Sequence, residues 1–268
     1  MRSEKDLCLL CGKNLATQKN SHIFSQYLGN SIFGKQNTKK GHLINPSNLL
    51  KKYKPIQDTP KENYLFCPEC EYSMGVVETI ISNQIPHIKR SHFLLNYYIQ
   101  DLGNLYPSLR YKERLLIFPD INPEILELFV YINIIRAHFS TLPVFNHFKL
   151  HQSIVNCIVL KLKHSLFPNK SGFLIKLENK NPDFLPYFHY LLYTSIENND
   201  MKSDSIMVRH GQTDPFIFYI GKYSLIFSFK HNPKHLTDPR FNFHNIEVRI
   251  CDCSAIQWGK QQNRILNL

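Results

Sequence analysis

A chain of 268 residues, 43% hydrophobic and 13% aromatic, has the composition of a folded protein and excludes a wholly disordered or fibrous one. No window approaches the roughly eighteen apolar residues of a membrane span, and the N-terminal "MRSEKDLCLLCG" lacks the apolar core of a signal peptide; no membrane partner and a cytoplasmic location are expected. A formal net charge of +11 favours an anionic partner, of which nucleic acid is the commonest.

In chain order, the stretch to about Ser82 is cysteine-punctuated and turn-rich. Cys8 and Cys11 form one Cys-x-x-Cys pair, and Cys67 and Cys70 form a second. Between them, Gly29 to Lys61 carries seven lysines against one aspartate and no sustained periodicity, which predicts a long basic insertion. Such an insertion either tracks a phosphate backbone or stands as a solvated loop. "CPECEYSMGVVETIIS" predicts a helix opening at the second pair, with Val76, Val77, Ile80 and Ile81 laid against the preceding segment. "SNQIPHIKRS", Ser82 to Ser91, marks a junction, because Pro86 stops that helix.

Downstream, Asn122 as N-cap and Pro123 at the first helical position predict a helix over "NPEILELFVYINIIRAHFS". Arg136 lies inside this apolar helix with no acid three or four positions away, so its partner comes from elsewhere in the fold or from a ligand. A second helix is predicted in "PVFNHFKLHQSIVNCIVLKLKHSLF", ended by Pro168, with Cys157 read as a core residue. Short β-rich runs follow: "GFLIKLE", "YFHYLLYTSI", "DSIMVRH", "PFIFYI", "YSLIFSFK" and "NIEVRI". Turn residues separate them, as in a largely antiparallel sheet.

Paired Cys-x-x-Cys motifs in a reducing compartment hold metal more often than they form disulfides, and four thiolates close a tetrahedral zinc site. Structural Zn2+ on Cys8, Cys11, Cys67 and Cys70 is therefore expected. A strand-rich segment between one knuckle and a second that opens a helix is the pattern of a treble-clef finger. The fold class is α+β, in two parts: residues 1–85, a treble-clef zinc finger, and residues 86–268, a helical segment and mainly antiparallel β-rich region of unassigned function. Cys251 and Cys253 share one strand face and are read as packing. His22, in "NSHIFSQYL", follows Cys11 by eleven positions; it is a surface residue, a substitute zinc ligand, or something more.

The residues of the first part resemble an HNH nuclease of the His-Me finger type in its zinc-stapled variant. That pattern runs Cys-x-x-Cys, Asp-His-Ile-x-Pro, then Asn before Cys-x-x-Cys-His-x-x-Lys-Thr-x-x-Glu. Here "CLLCG", "SHIFS", "NYLFCPEC" and "EYSMGVVE" stand in those places. The resemblance covers about the first 80 residues. It implies His22 as general base, Asn63 orienting its loop, Glu71 binding a catalytic Mg2+ or Mn2+, Glu78 as a second carboxylate and Ser21 as a helper. Ser21 replaces an acid, Ser25 a proline, Glu71 a histidine and Met74 a lysine. The implied activity is endonuclease hydrolysis of phosphodiester bonds, of DNA more than RNA. Lys35, Lys39, Lys40, Lys51, Lys52 and Lys54 would then touch phosphates without reading sequence. A nuclease joined to an unrelated companion domain is a layout of bacterial phage defence, by analogy only. A non-catalytic nucleic-acid-binding finger and a protein-interaction module stay open beside this reading, and an oligomer is compatible with each.

Overall fold

The computed structural model describes residues 2–34, 39–45, 53–84, 98–101, 114–166, 187–194, 205–209, 215–242 and 247–252. Among them the chain forms β1 (Ser21–His22), α1 (Gln26–Phe33), β2 (Gly41–Ile44), β3 (Tyr53–Ile56), β4 (Lys61–Glu62) and α2 (Pro68–Gln84). There follow β5 (Tyr98–Asp101), β6 (Arg114–Phe118), α3 (Pro123–Phe139) and α4 (Gln152–Leu166). The C-terminal part contains β7 (His189–Thr194), β8 (Ser205–Arg209), β9 (Phe216–Ile220), β10 (Tyr223–Ser228), α5 (Pro233–Thr237) and β11 (Val248–Asp252). The fold is α+β. No helix among the described residues is long and apolar enough to cross a membrane.

α3 begins where its residue types require. The Asn122 side-chain oxygen accepts the Glu124 N–H at 2.9 Å, and Pro123 fills the first helical position. Every residue from Ile125 to Ala137 is buried, as expected of a helix apolar on all sides. α2 packs on α3, and so does α4.

The strand runs assemble a nine-stranded sheet in the order β3-β2-β8-β9-β10-β7-β11-β6-β5. Among the described strands, β2–β8 and β7–β11 are the parallel pairs. Alternation along the strands sends Leu116, Phe118, Val208, Phe218, Phe227 and Ile250 into the same core as the helices. Their neighbours Leu115, Ile117, Met207, Tyr219 and Cys251 fall into smaller clusters.

Several expectations change here. The basic segment Gly29 to Lys61 is not featureless: its described residues contribute most of α1, then β2 and β3, and β2 pairs with β8, His42 facing Ser205. A partner that distant leaves no local periodicity to read. The sheet thus takes strands from both sides of residue 85, and the main core holds Phe24, Met74, Leu128 and Phe218 together. The second helix is shorter than predicted. Pro143–Phe145 makes one 3-10 turn, and Lys149 Nζ donates to the His138 and Ser140 carbonyls, so this stretch closes the end of α3. Cys157 is exposed rather than buried. The buried stripe of α4 is Val155, Ile158, Leu162 and Leu166, and position 157 falls off that helical period. The run "GFLIKLE", residues 85–97 and Cys253 lie outside the described residues.

Candidate functional site

The N-terminal cysteines sit in a turn closed by the Leu7–Leu15 bridge, with the Gly12 N–H donating to the Cys8 carbonyl at 2.9 Å. Gly12 has φ +67 and open space where a Cβ would stand, so the turn requires glycine for its backbone alone. Cys67 immediately precedes α2 and Cys70 lies in its first turn. Leu9 N–H to Leu65 O and Gln18 N–H to Phe66 O stitch the two knuckles together. All four sulfurs lie within 4.8 Å of one another, with Cys8–Cys70 at 3.5 Å and Cys11–Cys67 at 3.9 Å. Four sulfurs about 2.3 Å from a common tetrahedral ion would lie about 3.8 Å apart. A hydrogen bond from Cys70 pulls the Cys8 thiol down to about 4, and that same bond raises Cys70. Packed thiols resist shared negative charge, and a cation relieves that conflict. The cluster could hold a metal ion such as zinc, and it is the one group of three or more Cys, His, Asp or Glu so arranged among the described residues.

Between the knuckles, β1 and β4 form a short antiparallel ladder, with Ser21 facing Glu62 and His22 facing Lys61. The chain then runs through the cysteine pair into α2. This two-stranded ladder and the helix after β4 therefore carry His22, Ser21, Asn63, Glu71 and Glu78 in one region. The Asn63 side-chain oxygen accepts the Asn20 N–H at 2.8 Å and so holds the turn entering β1. Asn20 and Tyr64 both have positive φ, 57 and 62, an uncommon conformation for a tyrosine and one that asparagine tolerates.

The His22 side chain is 24% exposed, and its Nδ1 lies 2.5 Å from Thr59 Oγ1 and 3.8 Å from Asp58 Oδ1. Burial lowers its pKa below the usual histidine value; Asp58 opposes this, while Lys61 and Arg136 add to it. The ring is thus neutral at neutral pH.

Arg136 answers the question its sequence raised. Its guanidinium, 2% exposed, donates to Glu71 at 2.8 Å through Nη2 and to Glu78 through Nη1. The carboxylates that the resemblance gives to a divalent ion are thus paired with an arginine of α3. Three side-chain atoms here, Glu71 Oε2, Ser21 Oγ and Arg136 Nε, are buried without a hydrogen bond among the described residues, although Ser21 is close enough to lower the Glu71 carboxyl. Burial, joined by the nearby Glu78 and Cys8, raises that carboxyl above its usual range against the lowering effect of Arg136 and Ser21.

Of the six lysines singled out, Lys39, Lys40 and Lys54 are exposed beside or on β2 and β3 at one edge of the sheet. Lys35, Lys51 and Lys52 lie outside the described residues. Sequence reasoning missed Thr59 and Asp58 as neighbours of His22. Asp58 had a signal, being the lone acid among seven lysines. Thr59 had none. Set beside models of known protein families, curated proteins and solved structures, the chain matches none of them.

Proposed function

We propose that the chain is an endonuclease hydrolysing phosphodiester bonds, of DNA more than RNA, on a zinc-stapled two-stranded ladder and helix. The observation that carries the reading is His22: neutral, partly exposed, gripped at Nδ1 and set on a strand whose entry Asn63 ties down. In this reading His22 Nε2 takes a proton from water as the water oxygen bonds to phosphorus. The phosphorus–oxygen bond to the departing sugar breaks, and that oxygen leaves protonated from solvent. Zn2+ on Cys8, Cys11, Cys67 and Cys70 shapes the finger and stays out of the chemistry.

In this reading Glu71 Oε2 and Ser21 Oγ would be the protein's donors to a Mg2+ or Mn2+ ion, whose other ligands would be waters and the substrate phosphate. Such an ion would stabilise charge on the scissile phosphate and the leaving oxygen. Glu78 remains with Arg136 and holds the second carboxylate's place in the helix rather than at the ion. Lys39, Lys40 and Lys54 would hold the backbone of the nucleic acid.

A second reading has its own support. Because Arg136 already pairs with both carboxylates, the finger suits a binding module that cuts nothing. Purified protein of measured zinc content, incubated with supercoiled plasmid and with RNA in Mg2+ or Mn2+, separates the two. Cleavage of the plasmid in at least one metal is expected. A mobility shift with no cleavage in either metal would favour the binding module.

A further inference from the structure

The hydrogen bond between His22 and Thr59 has two possible senses, and they have opposite consequences. If the Thr59 hydroxyl donates, the ring proton sits on Nε2, and the nitrogen facing a substrate cannot accept a proton. If Nδ1–H donates to Thr59 Oγ1, Nε2 carries the lone pair. The distance of 2.5 Å between them does not distinguish these senses.

The surroundings do. Asp58 Oδ1 stands 3.8 Å from Nδ1 and, among the described residues, is the anion acting on His22; the other charged groups acting on the ring, Lys61 and Arg136, are cations. A carboxylate beside Nδ1 favours the proton on that nitrogen. Asp58 is itself held, by Lys61 Nζ at 2.6 Å and by the Thr59 N–H at 2.8 Å. Lys61 is the residue opposite His22 in the ladder, so base and anion are referenced to the same pair of strands. Thr59 is buried, and its methyl occupies the place where a Cβ on Gly29 would stand, 2.4 Å away. Gly29 of α1 thus lets the threonine wedge between α1 and the β1–β4 ladder, which leaves its hydroxyl little freedom to turn aside.

We propose that Asp58 and Thr59 are positioning residues that fix His22 in the Nδ1–H tautomer, leaving Nε2 as its basic nitrogen. The catalytic meaning of this pair rests on the nuclease reading; the tautomer itself does not.

Long-range nitrogen–proton NMR of the imidazoles in the full zinc-loaded chain, at a pH where His22 is neutral, tests the pair without any substrate. Wild type is expected to show protonated Nδ1 and bare Nε2. Asp58→Asn is expected to move a measurable fraction of His22 to the Nε2–H form, Thr59→Val to move more, and Thr59→Ser to keep the wild-type pattern. A wild-type His22 protonated on Nε2, or an unchanged tautomer in Asp58→Asn, overturns the proposal. Asp58 is partly exposed, so its variant keeps the test sharp if Thr59→Val fails to fold. In cleavage assays Thr59→Val should lower kcat about 10- to 100-fold with KM little changed, as for other groups that orient a working imidazole. The expected tautomer in a protein that cuts nothing would count against the nuclease and leave the pair standing.

Discussion

Ser25 stands where the nuclease pattern has proline, and its backbone N–H donates to the Asn133 side chain of α3 at 3.1 Å. Its φ of −48 is within proline's reach, so what excludes proline is the lost donor, not the backbone angle. Restoring the pattern with Ser25→Pro should therefore destabilise the protein by about 1–3 kcal/mol, the cost of a buried acceptor left alone. Urea unfolding checks this, and an unchanged midpoint would remove Asn133 from the account. Met74 obeys the same logic: it is fully buried, and a lysine there would bury an unpaired charge. Spacing brought the four cysteines into view, because a shared ion demands it, and the resemblance to the nuclease pattern brought in His22 and Asn63. Asn133 and Thr59 were not legible. Their partners lie across the fold, and neither residue type announces its bond.

At the level of elements, α3 explains the departures that face it. It supplies Asn133 to Ser25, covers Met74, and inserts Arg136 between Glu71 and Glu78, which lie two turns apart on one face of α2. The buried charge in an apolar helix was visible from sequence, but its partners were not, since they come from the other helix. Removing the guanidinium with Arg136→Ala should cost about 3–5 kcal/mol, because two carboxylates lose their counter-charge inside the protein. Combining Arg136→Met with Glu71→Gln and Glu78→Gln should recover much of that loss. Urea midpoints of the single and triple variants measure this, and a triple variant no better than Arg136→Ala would contradict the ion-pair account. The same principle makes the basic segment instructive. Its strands β2 and β3 exist because β8 offers an edge, not because their own residues alternate.

Across the whole molecule, the cysteine knuckles and the nine-stranded sheet are not independent. Cys8, Cys67 and Cys70 belong to the same core as α3 and the sheet's inner face. The α+β class was legible from the runs of helix and strand, whereas this continuity was not, because composition changes near residue 85 while the core draws described residues from both sides of it. One zinc per chain is expected by elemental analysis, and Cys67→Ser should both lose it and lower the melting temperature of the entire protein, as structural zinc supplies folding energy. A variant that kept its zinc and its melting temperature would refute the four-cysteine site. The central claim is that His22 is the base of a phosphodiester-cleaving site, and the most direct measurement is single-turnover plasmid cleavage by wild type and His22→Ala at equal zinc content. A loss of about 100-fold or more is expected, within the usual range for removing a general base. Equal rates in the two proteins would contradict it.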